Sequence, residues 1–341
     1  MTRWWLFIPC LFGLPGFTSQ AAAVEREQEA ANSSDELAER NAILSKVRAA
    51  IAAGDFAALS AMENEFRTSR ARTPSGIWRL AMFHVALQAY LAEGLEREGG
   101  CEYRDAQFVQ RWGAATPRNP APFITDAALL SQQAWCFRGS GYADSVPADA
   151  WPKFRQGISA AAEVLDKHSA LAASDPEYYA VRLDLLRAQG VSKATFRAVL
   201  DKATAREPYY HRTYFNAAWY YLPQWGGSYA DVEEFARSAA DRTRRVEKRG
   251  LYARIFWHLD QCGCHITERV ADWPTLKQSM RDVYDHFPER WNGQYFADLS
   301  CRMGDTEEGH RYIKAIHPEA TDDASFAALF AVCDNHGRNG G

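Results

Sequence analysis

Four groups of residues in this chain have types and spacings that could do chemistry. Gly226-Gly227-Ser228-Tyr229-Ala230 falls one residue short of the G-x-S-x-G turn that presents a nucleophilic serine. The final glycine is absent and no strand pattern precedes it, so Ser228 reads as the cap of a helix whose first turn carries Asp231, Glu233 and Glu234. His258, Cys262, Cys264 and His265 place imidazole and sulfur within eight residues, a ligand set that suits zinc. Their C-x-C spacing is not the C-x2-C of a zinc knuckle, and it misses the C-x-x-C-H haem pattern by one position. Glu307-Glu308-Gly309-His310 holds one Glu-x-x-His, where a carboxylate di-iron bundle needs two. Peptidoglycan cleavage needs a glutamate of raised pKa, and the Glu-Ser pair common at that acid in lytic transglycosylases occurs nowhere. No catalytic residue, metal or cofactor is assigned.

Binding chemistry is better represented. In Leu222-Pro223-Gln224-Trp225-Gly226-Gly227-Ser228, Pro223 ends one helix, Gly226 and Gly227 permit a turn with positive φ, and Ser228 starts the next helix. Trp225, the one residue with no part in forming the turn, suits a plug of the turn against the core first and a binding aromatic in an interhelix groove second. Tyr209, Tyr210, Tyr214, Trp219, Tyr220 and Tyr221 form an aromatic cluster just upstream. Their helical spacing suits a core first and a sugar or peptide groove second. The candidate binding residues are Trp225, Tyr210, His211 and Tyr214.

These residues must be held by helices. Pro176 and Pro208 lie 32 residues apart, each after an acidic residue and before aromatics, and Phe287-Pro288-Glu289-Arg290-Trp291 repeats the pattern. That period marks helix pairs near tetratricopeptide length. The third residue after each proline is Tyr179, His211 or Trp291 and the seventh is Leu183, Phe215 or Tyr295, which share one helix face. Proline fits the first helical position, where no amide partner is lost. Ser33 and Glu36 suggest a capping box for a first helix ending near Ala53, Gly54-Asp55 turns the chain, and Thr73-Pro74-Ser75-Gly76 breaks it again before a helix apolar on two faces. Residues 98 to 120 read as a long Gly- and Pro-rich excursion. No stretch alternates as a strand would. The expected fold is all-α stacked helical hairpins, a TPR-like α-solenoid or irregular helical-repeat array. It divides into an N-terminal lobe at 35–143 and C-terminal repeats at 151–336, the Gly139 to Pro147 break separating two halves of one solenoid or two small lobes.

The N-terminus has Arg3, an apolar run from Trp4 to Phe17 and small residues at Ala21 to Ala23, the layout of a secretory signal over 1–23, followed by a polar lead-in over 24–34. Pro9 and Pro15 interrupt the run, which is shorter than the roughly 20 apolar residues of a membrane span. Loss of Arg3 moves the formal net charge from −4 to −5, which gives no case for nucleic acid or an anionic membrane. Arg242, Arg244, Arg245, Lys248 and Arg249 read as a solvated helix face. Export leaves Cys101, Cys136, Cys262, Cys264, Cys301 and Cys333 in an oxidising compartment. The first two, isolated in sequence from the rest, are expected to pair, and pairing among the other four stays open.

Three strings resemble an uncharacterised bacterial family of exported, tetratricopeptide-like helical proteins: Arg72-Thr73-Pro74-Ser75-Gly76-Ile77-Trp78, the run from Ala134 to Ala143, and Leu222 to Ser228. The resemblance implies an all-helical, exported protein and brings no activity or site residues with it. The expected function is a periplasmic or secreted module that binds a protein or peptide partner in the cell envelope, without nucleic acid and without membrane insertion after signal cleavage. The alternative is a cell-wall hydrolase or carbohydrate-binding protein with an aromatic groove.

Overall fold

The computed structural model describes residues 35–98, 100–102, 107–261, 265–317, 330, 331 and 333. Both the signal-like segment and the lead-in lie outside these residues, as do Ser33, Cys262 and Cys264. The described chain is all-α, with sixteen helices and one isolated bridge between Arg72 and Trp78. No described helix is long and apolar enough to cross a membrane.

The helices come in successive pairs. They are α1 (Asp35–Ala53) with α2 (Phe56–Ser69), α3 (Arg79–Glu98) with α4 (Gln107–Ala115), and α5 (Ala121–Arg138) with α6 (Ala150–Lys167). After the single turn α7 (Ser169–Ala172) come α8 (Glu177–Gln189) with α9 (Lys193–Arg206) and α10 (His211–Tyr220) with α11 (Tyr229–Glu247). Then α12 (Gly250–Asp260) is joined through the short α13 (Ile266–Val270) to α14 (Trp273–His286), and α15 (Arg290–Arg302) pairs with α16 (Thr306–Ile316).

Local chemistry sets the boundaries. Asp55, Ser192, Ser228, Asp272 and Asp305 each accept an amide hydrogen bond at a helix start, satisfying a donor that the helix itself leaves open. The repeated prolines stand slightly upstream of their expected place: Pro176 is the residue before α8, while Pro208 and Pro288 sit in the turns that lead into α10 and α15. Residues 98 to 120 contain α4, whose Phe108, Val109 and Trp112 are buried, so this excursion is largely an amphipathic helix. The Gly139–Pro147 break joins the two members of one hairpin, since α5 and α6 pack on each other across it. One apolar cluster runs from Ile124 to Ala203 through both sides of the break.

The first helices of the pairs contact one another in sequence, and the last touches the first. α1 packs on α3; Gln132 of α5 donates to the Gln88 carbonyl of α3 (3.2 Å); Arg187 of α8 lies over Trp135 of α5 (5.7 Å). Asn216 of α10 donates to the Ala180 carbonyl of α8 (3.0 Å), and Trp219 of α10 to His258 of α12 (3.0 Å). Trp257 of α12 stacks on Tyr295 of α15 (4.3 Å). The Glu36 amide of α1 then reaches the Glu289 carboxylate that caps α15 (3.2 Å), 253 residues away, and Arg40 lies over Trp291 (5.0 Å). The hairpin array is therefore closed into a ring. Its inner helices are buried around most of their circumference, as α12 shows from Gly250 to Phe256 and at Leu259. Second helices carry a solvated face, including exposed Arg242, Arg244, Arg245, Lys248 and Arg249 on and just after α11.

Candidate functional site

Inner helices share one direction, because N-terminal turns meet N-terminal turns (Glu36 with Glu289; Tyr210 with Glu177) and C-terminal turns meet C-terminal turns (Trp219 with His258). The ring thus has two unlike ends. At the N-terminal end the α2–α3 loop fills the centre. Its Ser75 amide donates to Glu36 (2.8 Å), and its Ser75 carbonyl accepts from Arg254 (2.8 Å) and Asn292 (3.2 Å). Gly76 has φ +95°, and a Cβ there would stand 2.6 Å from the Arg254 guanidinium and 2.7 Å from the Phe287 ring. No larger residue fits this close approach. Next to it the buried Glu247 takes Arg72 (2.8 Å) and Arg254 (2.9 Å), with His211 Nε2 3.2 Å away. Burial alone would raise this carboxyl, but Arg254, His211 and Arg72 hold it well below the usual carboxylate range.

Three of the four candidate binding residues are buried in or next to this end. Tyr210 and His211 are buried, Tyr210 donating to Glu177 (2.7 Å) and His211 facing Glu247. Tyr214 is also buried and donates to the Pro208 carbonyl (3.0 Å). These three are buried core residues, and the Tyr210 and Tyr214 hydroxyls are spent on internal acceptors. Burial pushes the Tyr214 hydroxyl well up and the His211 imidazole down. Deeper in the same region His84 pairs with Asp175 (2.8 Å). Burial would lower this imidazole, yet Asp175, Glu177 and Glu63 raise it above its ordinary 6.5.

The turn Leu222–Ser228 is built as expected at two of its positions and differently at a third. Pro223 begins a short 3-10 turn through Trp225, and Gly226 takes φ +83°. Ser228 is the N-cap of α11, accepting from the Asp231 amide (3.1 Å). Gly227, expected to need positive φ, does not adopt it. Its reason for being glycine is contact: a Cβ would lie 2.0 Å from the Tyr221 carbonyl oxygen.

Trp225 lies at the C-terminal end of the ring, partly exposed, and here the structure brings together residues that the sequence did not single out. Arg187 lies over Trp225 (4.5 Å) and Trp135 (5.7 Å), and Arg138 lies over Trp135 (5.2 Å) and Trp151 (5.2 Å). The order Trp151, Arg138, Trp135, Arg187, Trp225 is a ladder of alternating rings and guanidiniums, each contact of the cation–π kind. Tyr142, in the loop after α5, and Tyr229, the first residue of α11 after the Leu222–Ser228 turn, are the large hydrophobics with exposed side chains among the described residues (80% and 44%). Trp135 and Tyr142 belong to the Ala134–Ala143 string, so the signal was present in the sequence without a partner to give it meaning.

Inside this rim three inner helices, α3, α8 and α10, share a polar circuit. Gln88 donates to Glu177 (3.2 Å) and accepts from Arg212 (2.6 Å), which also holds Glu177 (2.7 Å). Asn216, one turn along α10 from Arg212, donates to Asp184 (2.6 Å), and Asp184 pairs with Arg187 (3.3 Å). Phe215 stacks on His258 (4.8 Å). Burial and Arg212 push the His258 imidazole down to about 3, so it is neutral and accepts from Trp219.

His310 stacks on Phe330 (3.8 Å), and Glu307 is exposed. No group of three metal-ligating side chains occurs among the described residues, and the Cys262–Cys264 pair lies outside them. Cys101 is bonded to Cys136 as expected, and Cys301 to Cys333. Two disulfides fit a compartment outside the cytoplasm. No family model, curated protein or solved structure matches the chain.

Proposed function

We propose that the chain is an exported module of the periplasm or cell surface that docks a polypeptide partner on the rim at the C-terminal end of the ring. The observation that carries this reading is the Trp151–Arg138–Trp135–Arg187–Trp225 ladder flanked by exposed Tyr142 and Tyr229. Trp, Tyr and Arg are the side chains that supply most of the energy at protein interfaces. Pre-stacked guanidiniums also reduce the side-chain ordering cost of binding. Export by the signal-like segment and membership of the exported helical family belong to the same proposal and rest on the N-terminal pattern and the three strings.

The test begins with capture of a partner from the cell envelope by the mature protein and its identification by mass spectrometry. Titration of that purified partner against wild type, Tyr142→Ala and Tyr229→Ala follows. Each exposed tyrosine is expected to weaken binding by about 1–2 kcal/mol with melting unchanged. Equal affinity of all three proteins for the partner would remove the rim from the interaction.

A further inference from the structure

Asp184 differs from every other charged group of the polar circuit in being open. A third of its side chain (33%) meets solvent, whereas Arg187 and Glu177 are enclosed and Arg212 nearly so. Burial nonetheless raises its carboxyl, with Arg187 and Arg212 opposing. A group that touches water while surrounded by protein lines a recess. Among the described residues the α2–α3 loop occupies the far end of the ring, so this recess faces the rim.

The chemistry of its lining narrows what can enter. Two carboxylates, Glu177 and Asp184, balance two guanidiniums, Arg187 and Arg212, and His258 is neutral. An ammonium ligand would meet the Arg212 guanidinium, and a phosphate would meet the open face of Asp184. A neutral ligand meets neither obstacle. Phe215 and Trp219, partly exposed on the same face of α10 as Arg212, add aromatic surface beside the Asp184 carboxylate acceptor and the Gln88 amide. Carboxylate, amide and guanidinium next to aromatic carbon match the hydroxyl groups and C–H faces of a sugar ring.

We propose that the recess framed by Gln88, Asp184, Arg212, Phe215, Asn216 and Trp219 is a binding site for a small neutral saccharide, whose hydroxyls donate to Asp184. This site is separate from the polypeptide-docking rim and goes beyond it, since a closed-ended recess admits a small molecule and not a passing chain. No covalent step is involved.

The test uses the full mature chain, with glucose, maltose, N-acetylglucosamine and chitobiose as probes, read by tryptophan fluorescence and by saturation-transfer NMR. At least one probe is expected to bind below about 10 mM, with saturation transferred to its ring protons. Asp184→Asn should weaken that probe at least about tenfold, the loss of a charged acceptor. Phe215→Leu, which keeps the apolar packing, should weaken it severalfold, and Tyr142→Ala should leave it unchanged. Absence of binding of all four probes to the wild-type protein at about 10 mM overturns the proposal whatever the variants do. So does retention of full probe affinity in a folded Asp184→Asn protein. If polypeptide capture falls with Asp184→Asn while no probe binds, the recess belongs to the polypeptide's site, and only the saccharide is refuted.

Discussion

At Gly227 any side chain collides with the main chain of the preceding turn, because a Cβ would lie 2.0 Å from the Tyr221 oxygen. Gly227→Ala should therefore destabilise nearly as much as Gly227→Val, each by about 1–3 kcal/mol in urea unfolding. A positive-φ glycine would behave differently, costing about 1 kcal/mol for alanine, which is the expectation for Gly226→Ala. Ser228→Ala should cost about 1 kcal/mol through its cap. The buried His84–Asp175 pair makes a second prediction. Its imidazole is raised above the ordinary 6.5, so its stabilisation is full below the unfolded pKa and is lost as pH climbs through the folded one. The urea midpoint of the wild type should fall as pH rises above 6.5, and that fall should be smaller in His84→Gln. Glu247 works in the opposite window: its carboxyl is held down, so its contribution disappears as pH drops below 4.5. A wild-type and His84→Gln pair with parallel pH profiles would show that the dyad does not titrate as argued.

Among the elements, the α2–α3 loop carries the most consequence per residue. Gly76→Ala should lower stability by about 1–3 kcal/mol by displacing Arg254 or Phe287, and differential scanning calorimetry measures it directly. Removing the Cys101–Cys136 bond in a double serine variant should cost about 3–4 kcal/mol, given a sequence separation of 35. An unchanged melting temperature would mean the α3–α4 connection is already ordered in the unfolded ensemble. Element identity was legible in the sequence because it is local: apolar spacing, Ser228 at a helix start, and glycines at turns all act within a few residues. Glu36 was legible only as a helix-start residue. Its side chain accepts from Ser75, and no periodic pattern reports a partner that distant. Tyr210, His211 and Tyr214 show the same limit from the other side, since spacing places them on one helix and only packing decides whether that helix is inside. The ladder was least legible, assembled from α5, α6, α8 and the 222–228 turn, which no stretch of sequence juxtaposes.

The whole molecule is held by the meeting of its two ends. A chain that starts at Asp55 and so lacks α1 would leave the Ser75 amide without Glu36 and expose the faces that Ile43, Val47 and Ile51 cover. It should lose the single cooperative transition of the intact protein in thermal circular dichroism while keeping a helical spectrum. Retention of the intact protein's melting temperature would show that the contact of α1 with α15 adds nothing. The intact spectrum itself should be helical, without the signature of a sheet.

Closure also constrains how such a chain can change over generations. An open stack of helix pairs can gain or lose one member by duplication or deletion, since each pair needs only its neighbours. Here the α2–α3 loop must find Glu36, Arg254 and Asn292 together, on pairs at opposite ends of the chain. Deleting the α8–α9 pair would shift every later helix around the circle and leave a buried carboxylate facing the wrong turn. The number of hairpins is thereby tied to the curvature between them, and relatives of this chain should differ in loop length long before they differ in repeat count.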